Sequence, residues 1–289
     1  MRARRAGRAA LGRPRSDPGP AVDLVLRDGV AWITLLRPAA RNRLDAELLT
    51  GLVEACEAAE DADTARVVVL RARGPAFSAG LKRGIRWPDP AWPDGVGALA
   101  GVTKPVIAAL QGEALGWGLA LALACDIRVA STDAVLGVPE LGRGWLPGGG
   151  VGPRLARMIG VARTLDIVLL GRRLPGRTAA EWGLVSMVVP ATRLDATVAE
   201  VADRLAARGS LALRLAKEAV LKALDLPLAD GIRLEEDLYV LLQTTEDRRR
   251  ACVRSSSVEK PASRGAEGGR RAWRTRSGRS TSAPAAARR

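Results

Sequence analysis

Two glycine-marked turns are the parts of the sequence best suited to chemistry. The first, FSAGL at residues 77–81, follows the apolar run RVVVLR, and the second, GEALGWG at residues 112–118, opens an apolar stretch typical of a helix. Backbone N–H groups at a helix start have no intrahelical partner and lie at the positive end of the helix dipole, so they attract negative charge. Two such amides directed at one carbonyl oxygen would form an oxyanion hole, in which each donor lowers the barrier by about 3–4 kcal/mol. Taken alone, either turn is better explained as a tight strand-to-helix connection.

Glu140, in the segment VPELG, is the candidate for proton transfer. The sequence contains no histidine, which excludes Ser-His-Asp and Cys-His triads and most zinc and iron sites. Acid–base chemistry therefore falls to carboxylates, lysines, Tyr239, cysteines or water. The simpler alternative for Glu140 is a solvated acid, or one paired with Arg143, because a lone glutamate after a strand usually has that role.

The composition indicates one substantial core with charged tails. Hydrophobic residues make up 47% of the 289 residues, and no apolar run reaches the roughly 18 residues that cross a bilayer. The net charge of +14 divides into +5 in residues 1–20, +8 in residues 251–289 and +1 between them. The three cysteines lack CxxC spacing and predict neither a disulfide framework nor a zinc site. We expect a soluble, cytoplasmic protein without membrane contact, whose basic tails are disordered.

Strands alternate with helices in the first part of the chain, and helices dominate after residue 160. This order predicts an α/β body with a helical end. Asp45 is placed to cap the first helix, where five apolar residues share one face: Leu48, Leu49, Leu52, Val53 and Cys56. The predicted strands are residues 22–27, 30–36, 66–71, 106–110, 127–130, 135–136 and 185–188. Residues 87–97 are predicted as a loop or an irregular helix, and the later helices at 119–125, from near 153, and at 161–170, 178–183, 193–208, 211–224 and 228–249.

Five segments in order resemble signatures of the enoyl-CoA hydratase/isomerase (crotonase) family: RPAARNRLD, RVVVLRARGPAFSAG, KPVIAALQGEALGWGLALALACDIRVAS, VLGVPELGRGWLPGGG and LLGRRLPGRTAAEWGLVSMVVP. The resemblance covers about residues 22–250. It implies an α/β fold, a crotonase-like spiral of ββα units with a helical C-terminal region that forms a homotrimer or hexamer. We therefore expect a disordered basic tail over residues 1–20, the spiral core over 21–190, a helical oligomerisation region over 191–250, and a second disordered basic tail over 251–289.

The resemblance also implies a site for the enolate of an acyl-CoA thioester. The backbone N–H groups of Leu81 and Trp117 would form the oxyanion hole, and Glu140 would exchange a proton with the substrate carbon. Coenzyme A is part of the substrate, so neither a separate cofactor nor a metal is expected. Trp117 stands where the family usually has glycine; its side chain is costly if the position needs a positive φ, and its indole is expected to narrow the pocket. The further substrate contacts that the resemblance implies are Ala79, Gly80, Lys82, Arg83, Gly116, Gly118, Pro139 and Gly148, with Lys82 and Arg83 either near the CoA phosphates or simply solvated.

One of the two glutamates that hydratases of this family carry is missing. Its position is Ala120 here, while the second position is Glu140. A methyl group cannot accept a proton or hold a water, and losing a general acid/base costs about 10²–10⁴-fold in rate. Family members that move a double bond between the 3 and 2 positions can work with one carboxylate at the Glu140 position. We therefore expect a single-glutamate isomerase.

Two alternatives stay open. The first is a hydratase, or another enzyme that stabilises an enolate. The second is a catalytically weakened family member that binds RNA through its tails. The tails have no aromatic residue apart from Trp273, so nucleic acid would be bound only nonspecifically, through phosphate, and lost as salt rises. Asp126 is expected to be structural, and Val151 is expected to crowd the place where a water would be positioned.

Overall fold

The computed structural model describes residues 19–85 and 92–245. The strands are β1 (Val22–Arg27), β2 (Val30–Leu35), β3 (Val67–Ala72), β4 (Val106–Leu110), β5 (Glu113–Leu115), β6 (Ile127–Ser131), β7 (Val135–Gly137), β8 (Arg173–Pro175) and β9 (Met187–Val189). The helices are α1 (Ala46–Asp61), α2 (Gly95–Gly101), α3 (Trp117–Ala124), α4 (Val151–Ile159), α5 (Val161–Leu170), α6 (Gly176–Glu181), α7 (Leu194–Ala206), α8 (Ser210–Ala223) and α9 (Leu228–Gln243).

Two sheets organise the chain. The larger has the order β1-β2-β3-β4-β6-β9 and the smaller the order β5-β7-β8. The pairs from β2 to β9 in the larger sheet are parallel, while β1 and β2 form an antiparallel hairpin whose turn residues Asp28 and Gly29 both have positive φ. Because β4, β5 and α3 are followed by β6, β7 and α4, a long strand, a short strand and a helix recur. This recurrence confirms the predicted spiral of ββα units.

Both faces of the larger sheet are covered by helices. On one face, α1, α2 and α3 contribute side chains such as Leu52, Leu99 and Leu119 to the main core. On the other face, α7 packs Leu194 and Val198 against a row of strand side chains: Val30, Trp32, Val67, Val69, Ile107 and Val129. Burial on both faces explains why every residue of β2 is buried and why the central strands have continuous apolar runs.

Polar side chains fix the ends of α1. The Asp45 carboxylate accepts a hydrogen bond from the Leu48 amide at 3.1 Å, so the predicted N-cap is confirmed. At the other end, buried Lys104 donates from Nζ to the carbonyl oxygens of Ala59, Glu60 and Ala62 at 2.7–2.9 Å. This single ammonium group bonds three carbonyls at the end of α1, where a helix leaves its last carbonyls without intrahelical partners; the Ala62 carbonyl also accepts from the Ala65 amide.

Asp126 is structural, as expected. Its Oδ2 accepts from the Val106 amide at 2.7 Å and pairs with Lys217 of α8, also at 2.7 Å. It therefore holds the start of β4 and attaches α8 to the body.

The structure corrects several predicted boundaries. β9 begins at Met187, two residues later than expected, because its pairing with β6 starts at Met187. The Ser186 amide before it donates one hydrogen bond to the Arg128 carbonyl of β6. The three-residue strands β5 and β8 were not predicted, since so short a strand shows no alternation of apolar and polar residues. In the stretch predicted as a loop or irregular helix, α2 starts at Gly95, where the Asp94 carboxylate accepts from Gly97.

The described residues include only part of the regions to which the remaining predicted domain limits apply. The proposed tails lie outside the described residues except for Gly19 and Pro20, and α9 is described to Gln243. The limit placed at residue 190 stays a prediction; α7, which follows it, packs on the sheet, whereas α8 and α9 pack mainly on each other. No helix in residues 19–85 and 92–245 has the length and apolar character needed to cross a membrane.

We predict that Lys104→Met lowers the free energy of unfolding by about 2–4 kcal/mol, because it leaves three carbonyls at the end of α1 without a charged donor. Chemical denaturation of the full chain measures the change. The matched control is Lys222→Met on exposed α8, where the side chain forms an exposed ion pair with Glu218 and the loss should stay below about 0.5 kcal/mol. Equal losses in the two variants would contradict the capping role.

Candidate active site

A buried asparagine holds the first turn. Asn42 is fully buried with φ 48, and its side chain accepts from the Arg37 amide and donates to the carbonyls of Arg73 and Ala76, all at 2.8–2.9 Å. The Ser78 hydroxyl in turn donates to the Asn42 carbonyl at 2.8 Å. These bonds tie the RPAARNRLD segment to the turn at residues 77–81, so the turn has one conformation.

Residues 43 and 44 orient the backbone at Leu81. The Arg43 guanidinium donates to the carbonyls of Ala79 and Leu81, both at 3.0 Å. The Leu44 amide donates to Gly80, and the Lys82 amide donates to Leu44, both at 2.9 Å. In this parallel bridge Leu44 bonds the backbone groups of Gly80 and Lys82, the residues on either side of Leu81. The N–H of Leu81 itself is therefore directed away from Leu44.

The second turn is hydrogen-bonded to the first, and their backbones are closely packed. The Ser78 amide donates to Glu113, and the Leu115 amide donates back to Ser78, at 2.9 and 3.0 Å. A Cβ atom added at Gly80 would lie 3.0 Å from the Leu115 carbonyl oxygen and 3.9 Å from the Trp117 nitrogen. The structure thus brings the backbone just before Leu81 to the amide that opens α3, as the oxyanion-hole prediction requires.

The backbone cost anticipated for Trp117 does not arise. The positive φ of this turn, 53°, falls on Gly116, and Trp117 is the first helical residue of α3. The indole is 5% exposed and packs on the loop at Gly148 and Gly149, where a Cβ atom at Gly148 would collide with the ring. Any residue with a side chain at position 148 would therefore collide with the Trp117 indole.

Glu140 is buried at the same place. The residue is 8% exposed, its Oε2 has no hydrogen-bond partner within the described residues, and its Oε1 occupies the space that a side chain at Gly116 would need. Burial raises the pKa of the Glu140 carboxyl; its backbone amide and the positive charge of Arg143 act in the opposite direction with smaller effect. No ion pair of Glu140 occurs in the described part of the chain, so the alternative of a solvated or salt-bridged acid does not fit.

A cavity of about 100 Å³ lies between these groups. Its lining includes seven of the predicted site residues, which are Ala79, Gly80, Leu81, Lys82, Arg83, Pro139 and Glu140, together with Leu115, Arg143 and Trp145. Gly116, Trp117, Gly118 and Gly148 stand next to this lining rather than in it; a Cβ at Gly118 would lie 2.5 Å from the Ser78 carbonyl oxygen. Two larger hollows, about 530 Å³ beside β1 and α1 and about 550 Å³ beside α8, contain none of the predicted residues.

Positive charge gathers at the mouth of the cavity. Burial lowers the pKa of Arg43, and nearby Arg143, Arg83 and Arg41 lower it further. Arg83 is exposed, and Lys82 is exposed but paired with Asp45 at 3.0 Å. The contact of Lys82 and Arg83 with CoA phosphates stays a prediction.

Sequence reasoning missed the residues that position the site. Asn42 and Arg43 had no assigned role, although they lie in a segment that resembles the family, and Arg143 was considered only as an ion-pair partner of Glu140. The available signal was chemical: an asparagine between arginines after a proline-marked turn is suited to a left-handed backbone and to bonding carbonyls nearby.

The family assignment rests on comparison with known proteins. A sequence model described as enoyl-CoA hydratase/isomerase matches residues 26–262. The chain belongs to the enoyl-CoA hydratase/isomerase family. It is 40% identical over 228 residues to a Rhizobium meliloti protein named "Probable enoyl-CoA hydratase", covering 76% of this chain and 88% of that protein. The 2,3-dehydroadipyl-CoA hydratase of Escherichia coli is 36% identical over 226 residues, covering 76% and 89%.

The fold comparison agrees with this family. The crystal structure of enoyl-CoA hydratase from Bacillus anthracis matches with a TM-score of 0.79 and 32% identity, covering 82% of this chain and 96% of that one. Enzymes of the enoyl-CoA hydratase/isomerase family act on acyl-CoA thioesters, so the chain is an acyl-CoA-processing enzyme of this family.

We predict that Glu140→Gln stabilises the protein at neutral pH by about 1 kcal/mol or more, since it removes a buried charge without changing shape. Because the folded-state pKa of Glu140 is raised, the folded protein binds more protons than the unfolded chain between the two pKa values, and stability falls as pH rises through that interval. The gain should therefore be full above the folded-state pKa and vanish towards about pH 4, near the ordinary pKa of glutamate.

Unfolding free energies of both proteins across this pH range test the prediction. Glu113→Gln is the control, because Glu113 pairs with Arg41 and Arg173 and its loss should be neutral or slightly destabilising. A Glu140→Gln variant that is less stable at neutral pH would show that the carboxylate is compensated after all.

Proposed function

We propose that the chain is an enoyl-CoA isomerase in which Glu140 alone moves the proton. The observation that carries this proposal is one buried carboxylate in a cavity that Leu81 also lines, with Ala120 where a second carboxylate would stand. A shift of a double bond needs a proton to leave one carbon and join another, and one base can perform both steps in turn.

The reaction would use the site as follows. The thioester oxygen of a 3-enoyl-CoA accepts hydrogen bonds from the Leu81 and Trp117 amides. The Glu140 carboxylate takes a proton from carbon 2, and the electron pair moves onto the thioester oxygen as the enolate. Return of the same proton to carbon 4 gives the 2-enoyl-CoA. A buried carboxylate with a raised pKa is a stronger base than an exposed one, which suits removal of a weakly acidic proton.

Addition of water is disfavoured by the same geometry. Ala120 is fully buried, and a Cβ atom at Gly149 would lie 2.9 Å from the Ala120 methyl and 3.2 Å from the Trp117 ring. The first turn of α3 therefore faces the loop with a methyl group and an indole, neither of which holds or activates water. Val151 is buried next in sequence to this loop.

A hydratase is the second candidate. It is favoured by the names of the relatives, among them the 2,3-dehydroadipyl-CoA hydratase of Escherichia coli. A catalytically weak member that binds RNA through its basic tails depends on residues outside the described part of the chain.

We also propose that the enzyme acts in the cytoplasm, needs no separate cofactor, and assembles as a homotrimer or hexamer. The exposed apolar side chains of Val161, Leu165 and Leu169 share one face of α5, and further exposed apolar residues lie on α8 and α9. Such faces on a protein of this family support association of identical chains.

The first test removes the base. Glu140→Gln keeps the shape of the side chain and should lower isomerisation of a 3-enoyl-CoA by about 10²-fold or more, mainly in kcat. Steady-state kinetics with 2-enoyl and 3-enoyl esters measures both activities, and Glu113→Gln, an acid outside the cavity lining, should retain its rate. Unchanged isomerisation in Glu140→Gln would place the base elsewhere, and wild-type hydration exceeding isomerisation would favour the hydratase.

The second test restores the missing carboxylate. Since Trp117 and Ala120 face the same loop glycine, Ala120→Glu alone should gain little hydration of a short 2-enoyl-CoA. The double variant with Trp117→Gly should hydrate at least about ten-fold faster than the single one, since a general acid/base contributes about 10²–10⁴-fold once it can reach its water. The single variant Trp117→Gly is the control. If it hydrates as fast as the double variant, the carboxylate at position 120 is irrelevant.

A further inference from the structure

The cavity at Glu140 is small for a ligand site. Its volume of about 100 Å³ equals that of about three waters at roughly 30 Å³ each, whereas pockets for larger ligands span about 300–1,000 Å³. This space accommodates a thioester carbonyl and only a few further carbon atoms.

The lining of the cavity changes from buried and mainly apolar residues to exposed and mainly charged ones. The inner wall consists of Ala79, Gly80, Leu81, Leu115 and Pro139 around the Glu140 carboxyl, and it is apolar apart from that acid. The rim consists of Lys82, Arg83, Arg143 and Trp145. A ligand suited to this grading has a short apolar end inside and an anionic part outside.

Trp117 closes the space next to the inner wall. Gly116 separates the Glu140 carboxyl from Trp117 by a single residue, and the indole fills the gap between α3 and the loop at Gly148 and Gly149. A smaller side chain at position 117 would vacate this gap, and the size limit requires that the vacated space then join the cavity at Glu140. Neither larger hollow contains Glu140, so neither extends it.

We propose that the enzyme is restricted to acyl-CoA esters with short acyl groups, about four carbon atoms, and that the Trp117 indole sets this limit. The inference rests on the proposed function, because it assigns the cavity to an acyl group. It adds a substrate class and gives the Trp117 side chain a role separate from that of its backbone amide.

Binding of saturated acyl-CoA esters tests the limit without any turnover. Calorimetry on the full chain with butyryl-, hexanoyl-, octanoyl- and decanoyl-CoA should give the tightest Kd for butyryl-CoA and a Kd at least about ten-fold weaker for decanoyl-CoA. A cavity of about 100 Å³ cannot hold the added methylenes, so the longer chain must displace the wall or withdraw its thioester from the site. A decanoyl ester that binds the wild type as tightly as butyryl-CoA overturns the proposal.

The variants test the residue. Trp117→Ala should bring the butyryl and decanoyl Kd values to within about three-fold of each other, because the vacated space accepts the longer chain. Trp145→Ala is the matched control: it removes an indole at the rim, 40% exposed, and should shift all four affinities together. Trp117→Phe, with a smaller ring, should give an intermediate ratio and replaces the alanine variant if that does not fold. An unchanged chain-length profile in the Trp117 variants overturns the role of the indole.

Failure of the inference is distinguishable from failure of the proposed function. If short esters bind selectively but no 3-enoyl ester is isomerised, the isomerase proposal fails and the size limit stands. If 3-enoyl esters of four to ten carbons are isomerised with equal kcat/KM, the size limit fails and the isomerase stands. If no acyl-CoA binds at all, both are overturned.

Discussion

The site depends on how closely the backbones of two turns approach each other. The turn at residues 77–81 and the start of α3 are in van der Waals contact, so that a Cβ atom at Gly80 or Gly118 would press on a backbone carbonyl, and one at Gly116 would displace the Glu140 carboxyl. Only glycine meets both demands at Gly80 and Gly116, since both also have positive φ. Any larger residue at these positions would push apart the backbones of Leu81 and Trp117, whose amides the proposed oxyanion hole requires to lie close together.

Buried polar groups maintain that approach. The Arg43 side chain donates to the carbonyls of Ala79 and Leu81 in the first turn, and the Asn42 side chain donates to the Ala76 carbonyl just before it. The Ser78 hydroxyl of the turn donates in return to the Asn42 carbonyl, so the turn is bonded from both sides. Such satisfied networks specify one conformation, and for the same reason an unsatisfied group among them is costly. Glu140 Oε2 is one such unsatisfied atom among the described residues. Burying this carboxylate without a hydrogen bond lowers the stability of the fold. The same lack of stabilisation makes the carboxylate a stronger base, so stability and reactivity oppose each other at this atom.

Much of the fold could be predicted because helix caps and apolar runs are local features of the sequence. Asp45 marks the start of α1, the central strands are continuous apolar runs, and the order of motifs predicted the family that the comparisons confirm. The boundaries that failed, such as the start of β9 and the existence of β5 and β8, depend on pairing between distant segments, which short runs do not encode. The candidate residues lining the cavity were found, since Leu81, Glu140 and their neighbours do line one space. The supporting residues were not, because a buried asparagine or arginine has no sequence period; its partners are backbone carbonyls, and any residue type supplies those.

The two departures from the family pattern on α3 are one structural change. Positions 117 and 120 are three residues apart on a helix and so share a face, and both contact the place where a Cβ atom at Gly149 would sit. A glutamate replaced by alanine at position 120 would by itself leave an unfilled volume, which protein interiors do not tolerate cheaply. A glycine replaced by tryptophan at position 117 would by itself collide with a longer side chain at position 120. Together they conserve packing while exchanging a carboxylate that holds water for a ring that excludes it. Restoring either residue alone would therefore disturb the packing before it restored the chemistry, and the proposed preference for proton transfer over water addition rests on this pair rather than on the missing glutamate alone.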